Sequence, residues 1–365
     1  MKWSLRIGRL AGIDVFVHLT FPLLLAWIGL SYYLERRVLA DAFGAIAFVI
    51  LLFGIVVLHE LGHALTARRF GIPTRDITLL PIGGVARLEK MPEEPGQEFL
   101  VAVAGPAVNV ALAAVCAALL FGLGLPLIDE SPDLITGNPL RSLLWVNIAL
   151  AVFNMIPAFP MDGGRVLRAL LAMRLDYVRA TRIAATIGQS LAVGLGFIGL
   201  MGNPLLVFIA LFVWMGAAGE SQVVQVRHAL GGVPVRAAMI VDFRRLAPDE
   251  TLRDAAGHVL AGFQQDFPVV DRSRLVGLLT RDDLVRGMAA EGPNARVDAV
   301  MRTEFETISA SDMLEPAYLR LQASGLRSMP VLTAGTVVGL LTLENLAEFL
   351  MLQTAAGRRQ AVRRG

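Results

Sequence analysis

The chain has few lysines, a single cysteine and a small net charge. The small net charge argues against one class of partner, and the single cysteine excludes one kind of cross-link. Only Lys2 and Lys90 among the 33 basic residues are lysines, and 31 acidic residues leave a formal net charge of +2. This balance gives no electrostatic basis for binding nucleic acid, so we expect no nucleic-acid partner. The lone cysteine, Cys116, excludes an intrachain disulfide and is expected to serve packing.

Charged residues of either sign are also few. They make up 18% of the 365 residues, whereas 55% are hydrophobic and the mean hydropathy is +0.61. This is more apolar surface than one soluble core can hide. The long apolar runs lie almost entirely before residue 220, and no small-residue cleavage site follows the first of them. We therefore predict a polytopic α-helical membrane domain at 1–220 whose first span is retained.

Six stretches approach the length of about 20 apolar residues that a helix needs to cross a bilayer. An even number of spans puts both termini on one side of the membrane. Arginine is concentrated in the segments before span one, between spans two and three, and between spans four and five, which assigns that side to the cytoplasm. We expect a multi-pass protein of a bacterial or archaeal cell membrane, with both termini cytoplasmic. The spans are predicted at 15–34, 43–67, 99–124, 140–156, 183–201 and 204–219.

The second predicted span contains HELGH at 59–63, two histidines and a glutamate in apolar surroundings. Residues four apart share one face of a helix, so His59 and His63 can bind one zinc ion while Glu60 reaches a zinc-bound water. Ionisable groups are costly in a membrane, and zinc ligation would satisfy the imidazoles in place of water. The pattern predicts one Zn²⁺ per chain and a catalytic Glu60.

A hydrolytic zinc needs a third protein ligand and an open position, and FNMIPAFPMDGGRVL at 153–167 offers Asp162. The two prolines before Asp162 prevent a continuous helix, and the glycine pair after it permits a sharp turn. Aspartate is also a favoured helix N-cap, so a solvated cap on the next helix is the alternative. The predicted topology puts Asp162 on the same membrane face as the histidines, which favours the ligand interpretation.

Together, HELGH and NMIPAFPMDGG resemble the site-2 protease family of intramembrane zinc metalloproteases. The resemblance covers residues 1 to about 220. It implies cleavage of membrane-spanning proteins near the cytoplasmic face, with anti-sigma factors or precursor proteins as the substrate class. By the same resemblance the zinc ligands are His59, His63 and Asp162, the catalytic base is Glu60, and Asn154 is a polar group near the scissile carbonyl.

Two further segments are expected near this site. AGPAVNV at 104–110 resembles an element of the family's third core helix, in which Gly105 allows close packing and Asn109 is a candidate neighbour of the site. TRDITLLPIGGVARLEK at 74–90 alternates β-forming residues around PIGG, which predicts a membrane-associated hairpin. Its exposed edge could pair with an extended substrate by strand addition, and a plain connecting hairpin is the alternative.

From residue 234 the composition becomes that of a soluble α/β module that repeats with an offset of 62 residues. A register kept over such a length indicates a duplicated unit, each copy running helix, strand, strand, helix. We predict copies at 234–290 and 296–350, a linker at 221–233 and a basic tail at 351–365. The aligned segments are Met239 with Met301, FPVVD from 267 with MPVL from 329, and GLLTRDDL from 277 with GLLTLENL from 339.

The duplicated unit resembles a tandem pair of cystathionine-β-synthase-type (CBS) domains. The resemblance implies domains that bind AMP, ADP or ATP, and it admits a homodimer formed through them; the predicted topology puts them in the cytoplasm. The family's ribose-binding pattern fits Thr280 with Asp283 and Thr342 with Asn345. The alternative is that these side chains only cap helices.

The combined prediction is an intramembrane zinc metalloprotease of about six spans, with a small sheet, regulated through a soluble CBS pair. One rival is a membrane transporter or channel gated by the CBS domains. That rival predicts polar groups along several spans and a repeat within the membrane part, and the sequence shows neither. A catalytically inactive scaffold is the other rival, and the intact Glu60 argues against it.

Overall fold

The computed structural model describes residues 3–81, 83–88, 92–128, 137–262 and 264–362. The chain forms two compact units, Met1–Val224 and Gln225–Gly365. The predicted bounds of the membrane domain, linker and repeats are not tested by this division and stay predictions. Residues 129–136, between the predicted third and fourth spans, and the end of the basic tail, 363–365, lie outside the described residues.

The first unit is built from helices of the membrane-crossing type, as predicted. Among the described residues α2, α3, α6 and α7 are long and apolar enough to cross a membrane. The predicted first and fourth spans fall in shorter helices, since α1 has 17 residues and α4 has 16. The helices are α1 (Thr20–Arg36), α2 (Leu39–Arg69), α3 (Pro95–Gly122), α4 (Pro139–Asn154), α5 (Asp162–Ala172), α6 (Tyr177–Leu200) and α7 (Pro204–Leu230).

The N-terminal residues correct the predicted start of span one. Instead of beginning a helix at residue 15, the chain forms strands β1 (Ser4–Leu10) and β2 (Ile13–His18), and α1 begins only at Thr20. In IDVFVH the β-branched residues Ile13, Val15 and Val17 recur at every second position, a pattern that favours a strand. Average hydropathy counted these apolar residues and missed their alternation.

The predicted hairpin is confirmed, and it belongs to a larger sheet. Strands β3 (Thr74–Leu80) and β4 (Gly83–Leu88) pair antiparallel, and β3 also pairs in parallel with β2. The sheet order is β1-β2-β3-β4, so β4 is an edge strand. Ile82 in the predicted turn and Lys90 at the predicted end lie outside the described residues. One face of the sheet packs on α1 and α2 through a core that includes Ile13, Val15, Ile77, Leu79, Phe21, Phe53, Val57 and Leu61.

The second unit shows the predicted duplication. Each repeat contains a helix, an antiparallel strand pair and a second helix, and the strand pairs form separate small sheets. The first repeat contains α8 (Leu252–Ala261), β5 (Phe267–Asp271), β6 (Arg274–Leu279) and α9 (Arg281–Ala290). The second contains β7 (Ile308–Ser309), α10 (Leu314–Ser324), β8 (Ser328–Thr333), β9 (Thr336–Thr342) and α11 (Leu343–Val362).

The two repeats exchange their N-terminal segments. Ile240 of the first repeat bridges to Leu340 of the second, and Arg302 of the second bridges to Leu278 of the first. Ile240 and Arg302 are equivalent positions of the repeat, as are Leu278 and Leu340. Each repeat thus completes the strand edge of the other.

The predicted linker at 221–233 is helical over most of its length, because α7 continues to Leu230. Leu230 is fully buried in the core of the second unit, together with Val235 and Leu341. No composition shift marks the end of the helix before the glycine pair at 231–232.

Candidate metal centre

Three ligand atoms from two helices converge in the first unit. The Nε2 atoms of His59 and His63 are 3.1 Å apart, and each lies 3.2 Å from Oδ2 of Asp162. All three side chains are buried, with 5–6% of their residue surface exposed. The histidines lie one turn apart on α2, and Asp162 is the first residue of α5. The structure therefore brings together the three residues that the sequence analysis selected as metal ligands.

Asp162 reaches the histidines because the chain turns tightly between α4 and α5. Glycine is needed at both positions that follow it: a Cβ on Gly164 would lie 2.6 Å from the carbonyl carbon of Ala158, and one on Gly163 would lie 2.5 Å from that of Met155. Met161, and not Asp162, occupies the N-cap of α5. The capping alternative considered for Asp162 is thus replaced by a contact with the histidines.

The ring orientation of His63 is fixed by a backbone carbonyl. Nδ1 of His63 lies 2.7 Å from the carbonyl oxygen of Val101 on α3. A carbonyl can only accept, so Nδ1 carries the proton and Nε2 presents its lone pair to the centre. Second-layer partners of this kind orient the ligands of metal sites in proteins.

The ring of His59 is fixed by a chain of amides that ends on a carbonyl. Asn147 Nδ2 donates to Leu143 O at 2.8 Å, Asn109 Nδ2 donates to Asn147 Oδ1 at 3.0 Å, and His59 Nδ1 lies 2.5 Å from Asn109 Oδ1. Because the last acceptor is a carbonyl, each amide can be oriented in only one way, and His59 Nδ1 must donate. Asn109 was a candidate neighbour from sequence, whereas Asn147 was missed because only the fold joins them.

The donor set fits a zinc ion. Both Nε2 atoms and one carboxylate oxygen face each other, an arrangement of electron-rich atoms that a cation stabilises. Ligand atoms of tetrahedral zinc at about 2.0–2.1 Å from the metal are about 3.3 Å apart, close to the separations found here. His59, His63 and Asp162 form the group of potential metal ligands found among the described residues. Hydrolytic zinc sites can use two imidazoles and one carboxylate as protein ligands and keep a fourth position open for water or substrate.

Helix α3 approaches the histidines closely at Gly105. A Cβ built there would lie 2.7 Å from His59 Nε2 and closer still to the ring of His63. Gly105 is buried, and Val101 and Asn109, which orient the two rings, lie one turn before and after it on α3. Glycine at this position therefore leaves room for both histidine rings, which a side chain on α3 would displace.

Glu60 faces the edge strand of the sheet. Its Oε2 accepts a hydrogen bond of 3.2 Å from the backbone N–H of Ala86 on β4. A Cβ on Gly84 would lie 3.0 Å from Glu60 Cγ, so the glycine allows the strand to come this near. The expected catalytic carboxylate thus lies between the metal-ligand helix and the strand edge.

Asn154, expected near the scissile carbonyl, is the last residue of α4. Its Nδ2 donates to the carbonyl of Leu150 on the same helix at 3.0 Å. One of the two amide N–H groups of Asn154 is therefore engaged within α4.

A buried ion cluster joins α3, α5 and α7 and was missed from sequence. Arg168 on α5 is fully buried, and its guanidinium contacts Glu98 of α3 at 2.5 Å and Glu220 of α7 at 2.6 Å. It also lies 5.0 Å from the ring centres of Phe159 and Tyr177. In the topology prediction Arg168 counted only as a basic residue near the cytoplasm.

Of the four residues expected to bind nucleotide, Thr280 and Thr342 cap helices in the second unit. Asp283 N donates to Thr280 Oγ1 at 3.2 Å, and Asn345 N donates to Thr342 Oγ1 at 3.0 Å. Burial alone would raise the pKa of Asp283, but hydrogen bonds from Arg302 and Thr280 outweigh it and lower the pKa below its ordinary value. Thr342 and Asn345 line a cavity of about 490 Å³ within the second unit.

Comparison with known proteins places this geometry in a family. The profile of peptidase family M50 matches residues 47–133 and 128–195, and that of the CBS domain matches 235–290 and 297–352. A zinc metalloprotease of Methanocaldococcus jannaschii is 38% identical over 283 residues, which cover 76% of this chain and 78% of the relative. The chain belongs to peptidase family M50, the site-2 proteases. It is a zinc metalloprotease of that family with a tandem CBS pair.

A second relative and a solved structure match different shares of this chain. A protein of Synechocystis is 30% identical over 379 residues, which cover 98% of this chain and 97% of that protein. The solved site-2 protease from Methanocaldococcus jannaschii is 38% identical, with a TM-score of 0.45 over 60% of this chain and 95% of that one. Membership of family M50 supports the hydrolase over the transporter or channel alternative.

Proposed function

We propose that this metalloprotease hydrolyses a peptide bond within a membrane-spanning segment of a protein substrate, near the cytoplasmic face. The observation that carries the proposal is the buried group of His59, His63 and Asp162, two of which lie on α2, a helix long and apolar enough to cross a membrane. Arginine placement in the connecting segments supports a cytoplasmic location for both termini and the CBS pair.

The protein's own residues divide the work of hydrolysis. His59, His63 and Asp162 would hold the zinc, which when bound supplies a Lewis acid for the substrate carbonyl and lowers the pKa of its water to about 7. Glu60 accepts a proton from the attacking water and returns it to the leaving nitrogen. The bonds that Nδ1 of His63 and Nδ1 of His59 make to Val101 and to the Asn109 amide chain keep both imidazoles aligned.

Asn154 would donate a hydrogen bond to the oxyanion, a contribution typically worth about 3 kcal/mol. The donor would be the second amide N–H of Asn154, since the first is bonded to the carbonyl of Leu150. Replacing Asn154 with alanine is then expected to lower kcat by about 100-fold with zinc content unchanged. Unchanged kcat in that variant would remove Asn154 from the mechanism.

A substrate helix must be opened before attack, because its carbonyls are hydrogen-bonded within the helix. The free edge of β4 supports binding of the opened segment by strand addition. The N–H of Ala86 on that edge donates to Glu60, so an incoming strand that accepts from Ala86 would release the Glu60 carboxylate for catalysis.

The natural substrates would be membrane-spanning regulators or precursors, in the manner of anti-sigma factors. The test compares membrane proteins that accumulate uncut in cells carrying Glu60→Gln with those in cells carrying Glu35→Gln, which changes an exposed acid at the end of α1. We expect accumulation only with Glu60→Gln, and mass spectrometry of the wild-type products should place the cut within a span. Cuts confined to soluble segments would contradict the proposal.

We also propose that the CBS pair binds an adenine nucleotide and modulates cleavage, and that it can join two chains as a dimer. The cavity that Thr342 and Asn345 line supports nucleotide binding. Calorimetry on the full chain with AMP, ADP and ATP tests it, and absence of heat with all three would remove this part of the proposal. Analytical ultracentrifugation in detergent tests the dimer.

A further inference from the structure

The two CBS repeats place different side chains at equivalent positions of their clefts. Ile240 beside the second cleft corresponds to Arg302 beside the first, because the repeat offset is 62 residues. At the same offset, Glu348 on α11 corresponds to Arg286 on α9. The second cleft therefore has a hydrophobic and an acidic residue where the first has two arginines.

In the first repeat the two arginines pair with Asp283, the residue equivalent to Asn345. Arg302 Nε lies 2.6 Å from Asp283 Oδ2, and Arg286 Nη2 lies 2.5 Å from Asp283 Oδ1. Thr280 Oγ1 also donates to Asp283 Oδ2, at 2.5 Å. Both oxygens that could accept from a ribose hydroxyl are already engaged by charged or hydroxyl donors.

The second cleft is open and retains unused polar atoms. Ile240 lines it and has no charged group, unlike Arg302, which pairs with Asp283 in the first repeat. Asn345 Nδ2 donates to the carbonyl of Ala238 at 2.5 Å, which leaves Oδ1 as an acceptor. Gln265 lines the same cavity, and its Oε1 is buried with no hydrogen-bond partner among the described residues. A buried carbonyl oxygen without a partner favours a ligand that carries an N–H or O–H donor.

The charge around the open cleft disfavours phosphate. Its lining includes Asp266, Glu344 and Glu348 but only one cation, Arg327. One of these acids, Asp266, already accepts from Ser328 Oγ at 2.7 Å and from the N–H of Arg281 at 3.0 Å. Like charges a few ångströms apart repel, so each phosphate added to a ligand is expected to weaken its binding here.

We infer that the CBS pair binds one nucleoside per chain, in the second cleft, and that it recognises the nucleoside and not a polyphosphate. The inference rests on the proposed binding of an adenine nucleotide. It narrows that proposal to one cleft and to ligands that carry little or no phosphate charge. The affinity order expected is adenosine, then AMP, then ATP. Asp283 then serves the structure of the first cleft and does not bind the ligand.

The test is calorimetry on the full chain in detergent and magnesium-free buffer, with adenosine, AMP and ATP as probes. We expect one site per chain and at least tenfold tighter binding of adenosine than of ATP. Ile240→Arg, which copies the first repeat, should weaken adenosine at least tenfold, whereas Arg302→Ile should leave its affinity within twofold. Glu348→Arg changes an exposed residue and should narrow the gap between adenosine and ATP.

The outcomes separate this inference from the proposal beneath it. ATP binding as tightly as adenosine, two ligands per chain, or full binding in a folded Ile240→Arg protein would overturn the inference and leave nucleotide binding standing. An unchanged ratio of affinities in Glu348→Arg would overturn the argument from charge. No binding of any of the three probes would overturn both.

Discussion

Replacing Gly105 with alanine would place a methyl group against both histidine rings. The added Cβ would lie 2.7 Å from His59 Nε2, whereas ordinary contact begins at 3.4 Å, so the ring must retreat by about 0.7 Å. Metal sites tolerate ligand displacements of about 0.2 Å. Gly105 lies on α3 between Val101 and Asn109, which orient the two rings. A shift of α3 away from the rings would therefore disturb both of these contacts. We expect zinc affinity to fall by about 100-fold, at the upper end of losses from disturbed ligand support.

The assay is competition for zinc between the detergent-purified protein and a chromogenic chelator. Gly122→Ala is the matched control, because a Cβ at Gly122 on the same helix would meet nothing within 4 Å. Its zinc affinity should equal that of the wild type. Wild-type zinc affinity in Gly105→Ala would refute the account of how α3 supports the site.

Three further predictions concern the supporting contacts. Asn109→Leu removes the acceptor of His59 Nδ1 and should weaken zinc by about 10–100-fold in the same competition assay, and an unchanged affinity would contradict the amide chain. Arg168→Met leaves the buried carboxylate of Glu98 unpaired and should lower the free energy of unfolding by about 3–5 kcal/mol, measured by denaturation in detergent; an unchanged value would contradict it. The lowered pKa of Asp283 means that its contribution to stability is present above about pH 4 and is lost as the pH falls through the folded-state pKa. Acid titration of thermal stability should therefore destabilise the wild type more than Asp283→Asn, and parallel curves would count against the ion pairs.

Features that depend on spacing within one segment could be predicted from the sequence. His59 and His63 could be paired because a helix places residues four apart on one face, and the CBS repeats could be aligned because the offset of 62 residues is constant. Asp162 required one more step, the predicted membrane topology. The strands before Thr20 were missed because a hydropathy window averages over the alternation that marks them.

Contacts between distant segments could not be predicted in this way. The bond between Asn109 and Asn147 joins residues 38 apart, and that between Glu98 and Arg168 joins residues 70 apart. Neither pair has a spacing that a helix or strand would reveal. The asymmetry of the CBS clefts was readable in the alignment, but only the ion pairs of Asp283 show what the arginines do.

The central claim is tested most directly by measuring zinc content and cleavage together in Glu60→Gln and His59→Ala, with a membrane-spanning substrate reconstituted beside the full chain. We predict that Glu60→Gln keeps one zinc per chain and loses cleavage, because the ligands remain and the base is gone. His59→Ala should lose both. Full cleavage by Glu60→Gln would contradict the claim that this site hydrolyses peptide bonds through Glu60.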